Sequence, residues 1–128
     1  MAIEVGMQYK VECVVDETNV ASAVGSGLID VFATPMMIAQ MELAASQCIA
    51  GELEDGQVTV GAQISVEHSA ATPIGMNIVA VAVVKAVSGR RIDFEVKAYD
   101  ECGDIGKGDH TRYIVDKVKF MQKVQQKR

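Results

Sequence analysis

Two residues of this sequence have side chains suited to proton transfer in unusual surroundings. Glu42 is the one charged residue in the otherwise uncharged run Thr34–Ala50. A carboxylate in an apolar helix is costly to bury unless it is paired or used, and desolvation would activate it as a base or nucleophile. His68 ends a run of alternating residues and falls on its apolar side, where an imidazole could relay protons near neutral pH.

Each candidate also has a purely structural interpretation. Glu42 could be a buried acid paired with a core hydroxyl or histidine, although a lone acid brings no packing benefit. A single histidine such as His68 is more often a satisfied core residue than a catalyst. Thr34 precedes Pro35, where a hydroxyl ordinarily caps a helix and contributes about 1 kcal/mol. His110 has only the structural interpretation, as a strand residue beside glycines.

The run Thr34–Ala50 predicts one long helix that carries the acid. Pro35 suits the first helical position, Thr34 before it can act as the N-cap, and Gly51 suits the end. The run is apolar almost all the way round, which predicts a helix buried on most sides. It is too short and too polar for a bilayer span, which needs about 20 apolar residues.

Alternating or continuous apolar patterns predict five strands, at 9–15, 58–68, 76–87, 92–98 and 105–115. The run 76–87 contains almost no polar residue, so both its faces should be covered, partly by a second subunit. The irregular stretch 16–33 predicts a loop or short helix and a candidate lid. The tail 116–128 predicts a short basic helix or a fraying strand, with Val118, Met121 and Val124 packed inward.

This order predicts one domain over residues 1–128, of the α+β class. Tight turns favour antiparallel neighbours, and an antiparallel sheet that curls around the single long helix would bury it.

Charge and composition exclude several classes of partner and cofactor. The net charge of −5 argues against nucleic acid and anionic membranes, which need a basic surface. Three scattered cysteines read as reduced thiols, and the N-terminus lacks a signal-peptide pattern, so a cytoplasmic protein is expected. Two histidines and those cysteines offer no metal-ligand pair at close spacing, and no cofactor is expected.

Four segments resemble the fluoroacetyl-CoA thioesterase family of small acyl-CoA hydrolases. They are Val-Phe-Ala-Thr-Pro at 31–35 with Met-Glu at 41–42, Val-Glu-His-Ser-Ala-Ala-Thr-Pro-Ile-Gly at 66–75, Ser-Gly-Arg-Arg at 88–91, and Ile-Gly-Lys-Gly-Asp-His-Thr-Arg at 105–112. The resemblance implies a hotdog fold, in which an antiparallel sheet wraps around one central helix and dimerises edge to edge.

By this resemblance, Thr34, Glu42 and His68 fall on the family's catalytic threonine, glutamate and histidine. Gly61 and Arg112 fall on positions that help to hold the substrate. Glu42 would be the nucleophile or general base, His68 the proton relay and carbonyl polariser, and Thr34 the group that orients Glu42 or the substrate. Coenzyme A would be part of the substrate rather than a cofactor.

The sequence therefore predicts a homodimer, or a dimer of dimers, that hydrolyses a small acyl-CoA thioester. The selective member of the family carries aromatic lid residues where this sequence has Gly25 and Leu28. Two alternatives remain open at this point. One is a hotdog protein that binds acyl-CoA or another small ligand without turnover, and the other is a hotdog hydratase or dehydratase.

Overall fold

One antiparallel sheet of five strands packs against a 17-residue helix in the computed structural model, which describes residues 2–128. The chain order is β1 (Gln8–Val14), α1 (Ala21–Val24), α2 (Thr34–Ala50), β2 (Gln57–His68), β3 (Asn77–Ser88), β4 (Arg91–Asp100), β5 (Gly103–Asp116) and α3 (Lys117–Gln125). The long helix ends at the predicted residue and begins at Thr34, one residue before the predicted start at Pro35. All five predicted strands are present. The tail forms a helix rather than a continued strand.

The strands lie in the order β1-β3-β4-β5-β2, and every neighbouring pair is antiparallel. Tight turns join β3 to β4 and β4 to β5, as predicted. The prediction that strands consecutive in the chain pair with each other is wrong for β2 and β3, because β2 pairs with β5 along its whole length. The segment between β2 and β3 is therefore a crossover to the other side of the sheet rather than a hairpin turn. It contains the buried Thr72, whose backbone carbonyl accepts from the Phe32 N–H at 2.9 Å.

Helix α2 buries one face against the sheet, including Met37, Met41 and Ile49. The backbone of β5 comes close enough to require glycine, since a Cβ at Gly106 would lie 2.6 Å from Met37 Sδ. The prediction that α2 is buried on most sides is wrong for one chain. The sheet covers only one side of the helix, and on the other side Leu43 is 41% exposed.

Within one chain, the run 76–87 is covered on one face only, and its predicted cover by a second subunit stays a prediction. Residues Ile78, Ala80, Ala82 and Val84 of β3 are buried, but the alternate residues from Asn77 to Val83 are half-buried and those from Lys85 onwards are exposed. Strand β4 has one buried and one wetter face, as predicted from its alternation.

The first residue of helix α3, Lys117, contacts the turn before β2. Its backbone N–H donates to the Gly56 carbonyl at 2.9 Å. The apolar residues of α3 are not packed inward as predicted. Val118 is 69% exposed, Met121 43% and Val124 40%, since α3 lies at the end of β5 and the sheet gives it little surface to cover. No helix within residues 2–128 combines the length and apolarity needed to span a bilayer.

Candidate active site

Thr34 and His68 form a direct contact at one end of α2. Thr34 is the first residue of the helix, His68 is the last residue of β2, and Thr34 Oγ1 lies 2.7 Å from His68 Nδ1. The N-cap residue is Ala33, and no side chain caps the helix. The prediction that Thr34 caps α2 is therefore wrong, because its hydroxyl is engaged with the imidazole instead.

The imidazole of His68 is placed to accept the Thr34 hydroxyl proton. Burial lowers the pKa of His68 below its ordinary value, and the Ala70 backbone acts in the opposite direction. The ring is therefore neutral at pH 7, and when Nδ1 accepts from Thr34 the hydrogen resides on Nε2. His68 Nε2 is buried and has no hydrogen-bond partner within residues 2–128.

An open cavity of about 220 Å³ lies against the Thr34–His68 pair. One wall comes from the segment 16–33 through Ala21, Ser26 and Phe32, and another from Ala70 and Ala71 after β2. Most of these side chains are small, so the cavity can admit a small group next to the hydroxyl. The positively polarised N-terminus of α2 lies at the same place and would favour developing negative charge.

The segment 16–33 is tied down at both ends and exposed at its tip. Asn19 donates to the Val14 carbonyl at 3.0 Å, and the Asn19 carbonyl accepts from Ala33 N at 3.0 Å. The predicted loop or short helix contains one turn of helix, α1. Leu28 at the tip is 96% exposed and does not line the cavity. The lid function stays a prediction.

Glu42 lies in a second cluster, in which its carboxylate faces Arg112 of β5. Glu42 Oε2 is 3.6 Å from Arg112 Nη1, and the two side chains are 42% and 9% exposed. Arg112 donates from Nε to Thr59 Oγ1 at 2.9 Å and from Nη2 to the Thr59 carbonyl at 3.0 Å. The predicted desolvation of the Glu42 carboxylate is incomplete in a single chain, because this side of α2 is open and the side chain is 42% exposed.

Gly61 makes room for the Glu42 carboxylate. It pairs with Arg112 in the β2–β5 register, and a Cβ at this position would lie 2.5 Å from Glu42 Oε2 and 3.4 Å from Arg112 Nη1. The predicted substrate contacts of Gly61 and Arg112 stay predictions. Within the chain, both residues support Glu42.

His110 is a member of this cluster that sequence reasoning assigned only to structure. Its Nδ1 lies 2.7 Å from the Gln63 carbonyl oxygen, and its Nε2 lies 3.3 Å from Arg112 Nη1. The two-residue spacing of His110 and Arg112 could have indicated this, because residues two apart on a strand share a face. His110 therefore had to lie on the same side of β5 as Arg112.

The two clusters are separate within one chain. Glu42 follows Thr34 by eight residues of helix, a rise of about 12 Å. Gly61, beside Glu42, precedes His68 by seven residues of strand, about 23 Å. The three residues predicted to act together are thus divided, with Thr34 and His68 in one cluster and Glu42 in the other. No group of His, Cys, Asp and Glu that could hold a metal ion occurs in the described residues 2–128.

The sequence model of the fluoroacetyl-CoA-specific thioesterases matches residues 15–118. The chain belongs to this family. The fluoroacetyl-CoA thioesterase of Streptantibioticus cattleyicolor is 41% identical to it over 98 residues, which cover 77% of this chain and 70% of the relative. These findings confirm the family resemblance and the assignment of the chain as a thioesterase.

Solved structures agree in fold along nearly the entire chain. The fluoroacetyl-CoA thioesterase FlK is similar with a TM-score of 0.95 and 33% identity, covering 100% of this chain and 99% of FlK. A thioesterase-superfamily protein of Thermus thermophilus is similar with a TM-score of 0.90 and 30% identity, covering 98% and 93% of the two chains. The predicted α+β hotdog fold is confirmed.

Proposed function

We propose that the protein hydrolyses a small acyl-CoA thioester at a site made by Thr34 and His68 of one copy and Glu42 of a second. The contact of 2.7 Å between Thr34 Oγ1 and His68 Nδ1, on the wall of the cavity, is the observation that carries the proposal. A hydroxyl within hydrogen-bond reach of a neutral imidazole is the arrangement of an activated nucleophile and its base.

The first half-reaction transfers the acyl group to the enzyme. Thr34 Oγ attacks the thioester carbonyl carbon, and its proton passes to His68 Nδ1. The carbon–sulfur bond then breaks, and the leaving coenzyme A thiolate takes the proton from the imidazolium. The N-terminus of α2 stabilises the oxyanion that forms between these two steps.

Water completes the reaction. His68 takes a proton from water, whose oxygen attacks the Thr34 ester, and Thr34 recovers its proton as the acid is released. During both steps the imidazolium carries its second N–H on Nε2, which needs an acceptor, and a carboxylate is the strongest one available. In this proposal Thr34 is the nucleophile and His68 its base, which differs from the sequence-based prediction that Thr34 orients Glu42 or the substrate.

A second copy can supply that carboxylate. Strand β2 is at the edge of the sheet, so one of its sides is open to pairing with another strand. In an antiparallel two-fold pair of β2 strands with Gly61 opposite His68, Glu42 of each copy approaches the Thr34–His68 pair of the other. The homodimer predicted from the sequence would thus complete two equivalent sites.

The substrate we propose is a short acyl chain on coenzyme A. The cavity of about 220 Å³ at Thr34 has room for a small acyl group, and small side chains such as Ala70 and Ala71 form its wall. Fluoroacetyl-CoA, the substrate named for the relatives, is one candidate within this class. Because Leu28 does not close over the cavity, we expect other short acyl groups to be accepted as well.

The proposal is tested by measuring thiol release from acetyl-, fluoroacetyl-, butyryl-, octanoyl- and phenylacetyl-CoA. We expect turnover of the short esters, retained activity in Thr34→Ser, and loss of roughly 1000-fold or more in Thr34→Val. Mass spectrometry of Thr34→Ser after rapid quenching should find the acyl group on residue 34.

Two results would contradict this proposal. Binding of acyl-CoA esters without thiol release by the folded protein would indicate a binding protein. Wild-type rates of thiol release by Thr34→Val would show that the Thr34 hydroxyl does not take part in the reaction.

A further inference from the structure

His110 of β5 is buried and has a hydrogen-bond partner at each ring nitrogen. The Gln63 carbonyl oxygen, 2.7 Å from Nδ1, can only accept. Arg112 Nη1, 3.3 Å from Nε2, can only donate. The two partners therefore select one tautomer of the neutral ring, with the hydrogen on Nδ1 and the lone pair on Nε2.

We infer that His110 is a positioning residue, which fixes the guanidinium of Arg112 and through it the carboxylate of Glu42. The inference rests on the proposed function, in which Glu42 serves the reaction. It adds a residue that touches neither the substrate nor the reacting atoms.

The contacts form an unbroken series from strand to carboxylate. Thr59 holds one edge of the Arg112 guanidinium through Nε and Nη2, at 2.9 and 3.0 Å. His110 holds the remaining nitrogen, Nη1, which is the atom that faces Glu42 Oε2 at 3.6 Å. The guanidinium is planar, so fixing all three nitrogens fixes its orientation. Without the acceptor on His110, the guanidinium plane could tilt about the edge held by Thr59 and carry Nη1 away from Glu42.

Burial favours the neutral form of His110 that this role requires. Burial lowers the pKa of His110, the Gln63 carbonyl acts in the opposite direction, and the charges of Arg112 and Glu42 lower and raise it respectively. A protonated ring would direct an N–H from Nε2 at the N–H of Arg112. The neutral ring instead presents the lone pair that Arg112 needs.

Two substitutions of His110 distinguish the effect of its hydrogen bond to Gln63 from that of its hydrogen bond to Arg112. In His110→Asn, the amide nitrogen can still donate to Gln63, but the side chain is too short to reach Arg112. In His110→Gln, the longer side chain can place its amide oxygen where Nε2 was and accept from Arg112. We expect kcat to fall by roughly 10- to 100-fold in His110→Asn with KM within about twofold, and by less in His110→Gln.

Three controls distinguish positioning from core packing. Ile78→Val, a change in the buried face of β3 away from the cluster, should lower stability without changing kcat. In a Glu42→Gln background, His110→Asn should cause no further loss, because its effect passes through Glu42. Long-range proton–nitrogen NMR of the wild-type ring should find the hydrogen on Nδ1.

A hydrogen on Nε2 would overturn the inference even if the variants failed to fold, since that nitrogen could not then accept from Arg112. Wild-type kcat in His110→Asn would also overturn it. So would an equal fractional loss of kcat in the wild-type background and of the residual kcat in the Glu42→Gln background, provided that Glu42→Gln by itself had lost most of the wild-type activity. Full activity in Glu42→Gln would instead overturn the proposed site, and with it any reason to position that carboxylate.

Discussion

The neighbours of Thr34 and Glu42 give these two residues different positions in the chemistry. The Thr34 hydroxyl lies 2.7 Å from Nδ1 of His68, and the cavity is open beside both side chains. Glu42 faces Arg112, whose other donors are already bonded to Thr59 and His110. A carboxylate held in this way, and still 42% exposed, is available to a group outside its own chain.

Sequence patterns indicate Glu42 and His68 but do not show which residues contact them. A charge in an apolar run and a histidine on an apolar strand face are visible over a few residues. The contact of Arg112 with Thr59 joins residues 53 positions apart, and it depends on how β2 pairs with β5. No local pattern in the sequence indicates that β2 pairs with β5.

Gly61 gives a sharp test of the acid's position. In Gly61→Ala, the new Cβ would lie 2.5 Å from Glu42 Oε2 and displace it. We expect kcat/KM for the best acyl-CoA ester to fall by roughly 10- to 100-fold, because small displacements of reacting groups are costly. Circular dichroism should show an unchanged fold.

The matched control for this substitution is Gly51→Ala. Gly51 has φ −69° and open space around its Cβ position, so alanine fits there. Activity should be unchanged in the control. Equal activities of the two alanine variants would show that the carboxylate next to Gly61 does not take part.

Helix α2 and strand β2 show which elements can be predicted from local sequence. Pro35 at the first turn and Gly51 after the last residue mark the two ends of α2, and the observed helix differs from the predicted one only in including Thr34. Helix α1 has only four residues, too few for a periodic pattern, so the sequence of its segment predicts no more than a loop or short helix. The position of β2 at the sheet edge follows from long-range pairing and could not be predicted from its alternation.

The free edge of β2 makes a prediction about assembly. Ser65 is exposed and lies between Gly61 and His68, near the two-fold axis of the proposed strand pairing. In Ser65→Lys, two like charges would face each other across that axis, while Asp109 opposite in β5 tolerates lysine within the chain. We expect the dimer dissociation constant to rise roughly fivefold, about 1 kcal/mol.

Sedimentation velocity over a range of concentrations measures this change, with Ser65→Ala as the neutral control. Thiol release at low protein concentration should fall together with the dimer fraction. A wild-type protein that is monomeric while fully active would contradict the assembly through β2.

At the scale of the whole molecule, a single chain exposes apolar side chains on helices α2 and α3 as well as on 76–87, the run predicted to contact a second subunit. Leu43 on α2 is 41% exposed, and Val118 and Phe120 on α3 are 69% and 37% exposed. The prediction that a second subunit covers 76–87 rests on the apolar content of that run and stays a prediction. Apolar content alone could not show which elements the chain's own fold would cover.

The central claim is that two copies of the chain build each thioesterase site, and subunit complementation tests it most directly. Thr34→Val lacks the hydroxyl and Glu42→Gln lacks the carboxylate, so each variant alone should be inactive. After the two are mixed in equal amounts and allowed to exchange subunits, half of the dimers should be mixed. Each mixed dimer has one site with both groups intact.

We predict that thiol release in the mixture recovers to about a quarter of the wild-type specific activity, since about a quarter of all sites are intact. A mixture of wild-type protein with either variant calibrates the extent of exchange. If the mixture stays inactive although mass spectrometry shows that mixed dimers have formed, the site lies within one chain and the account is contradicted.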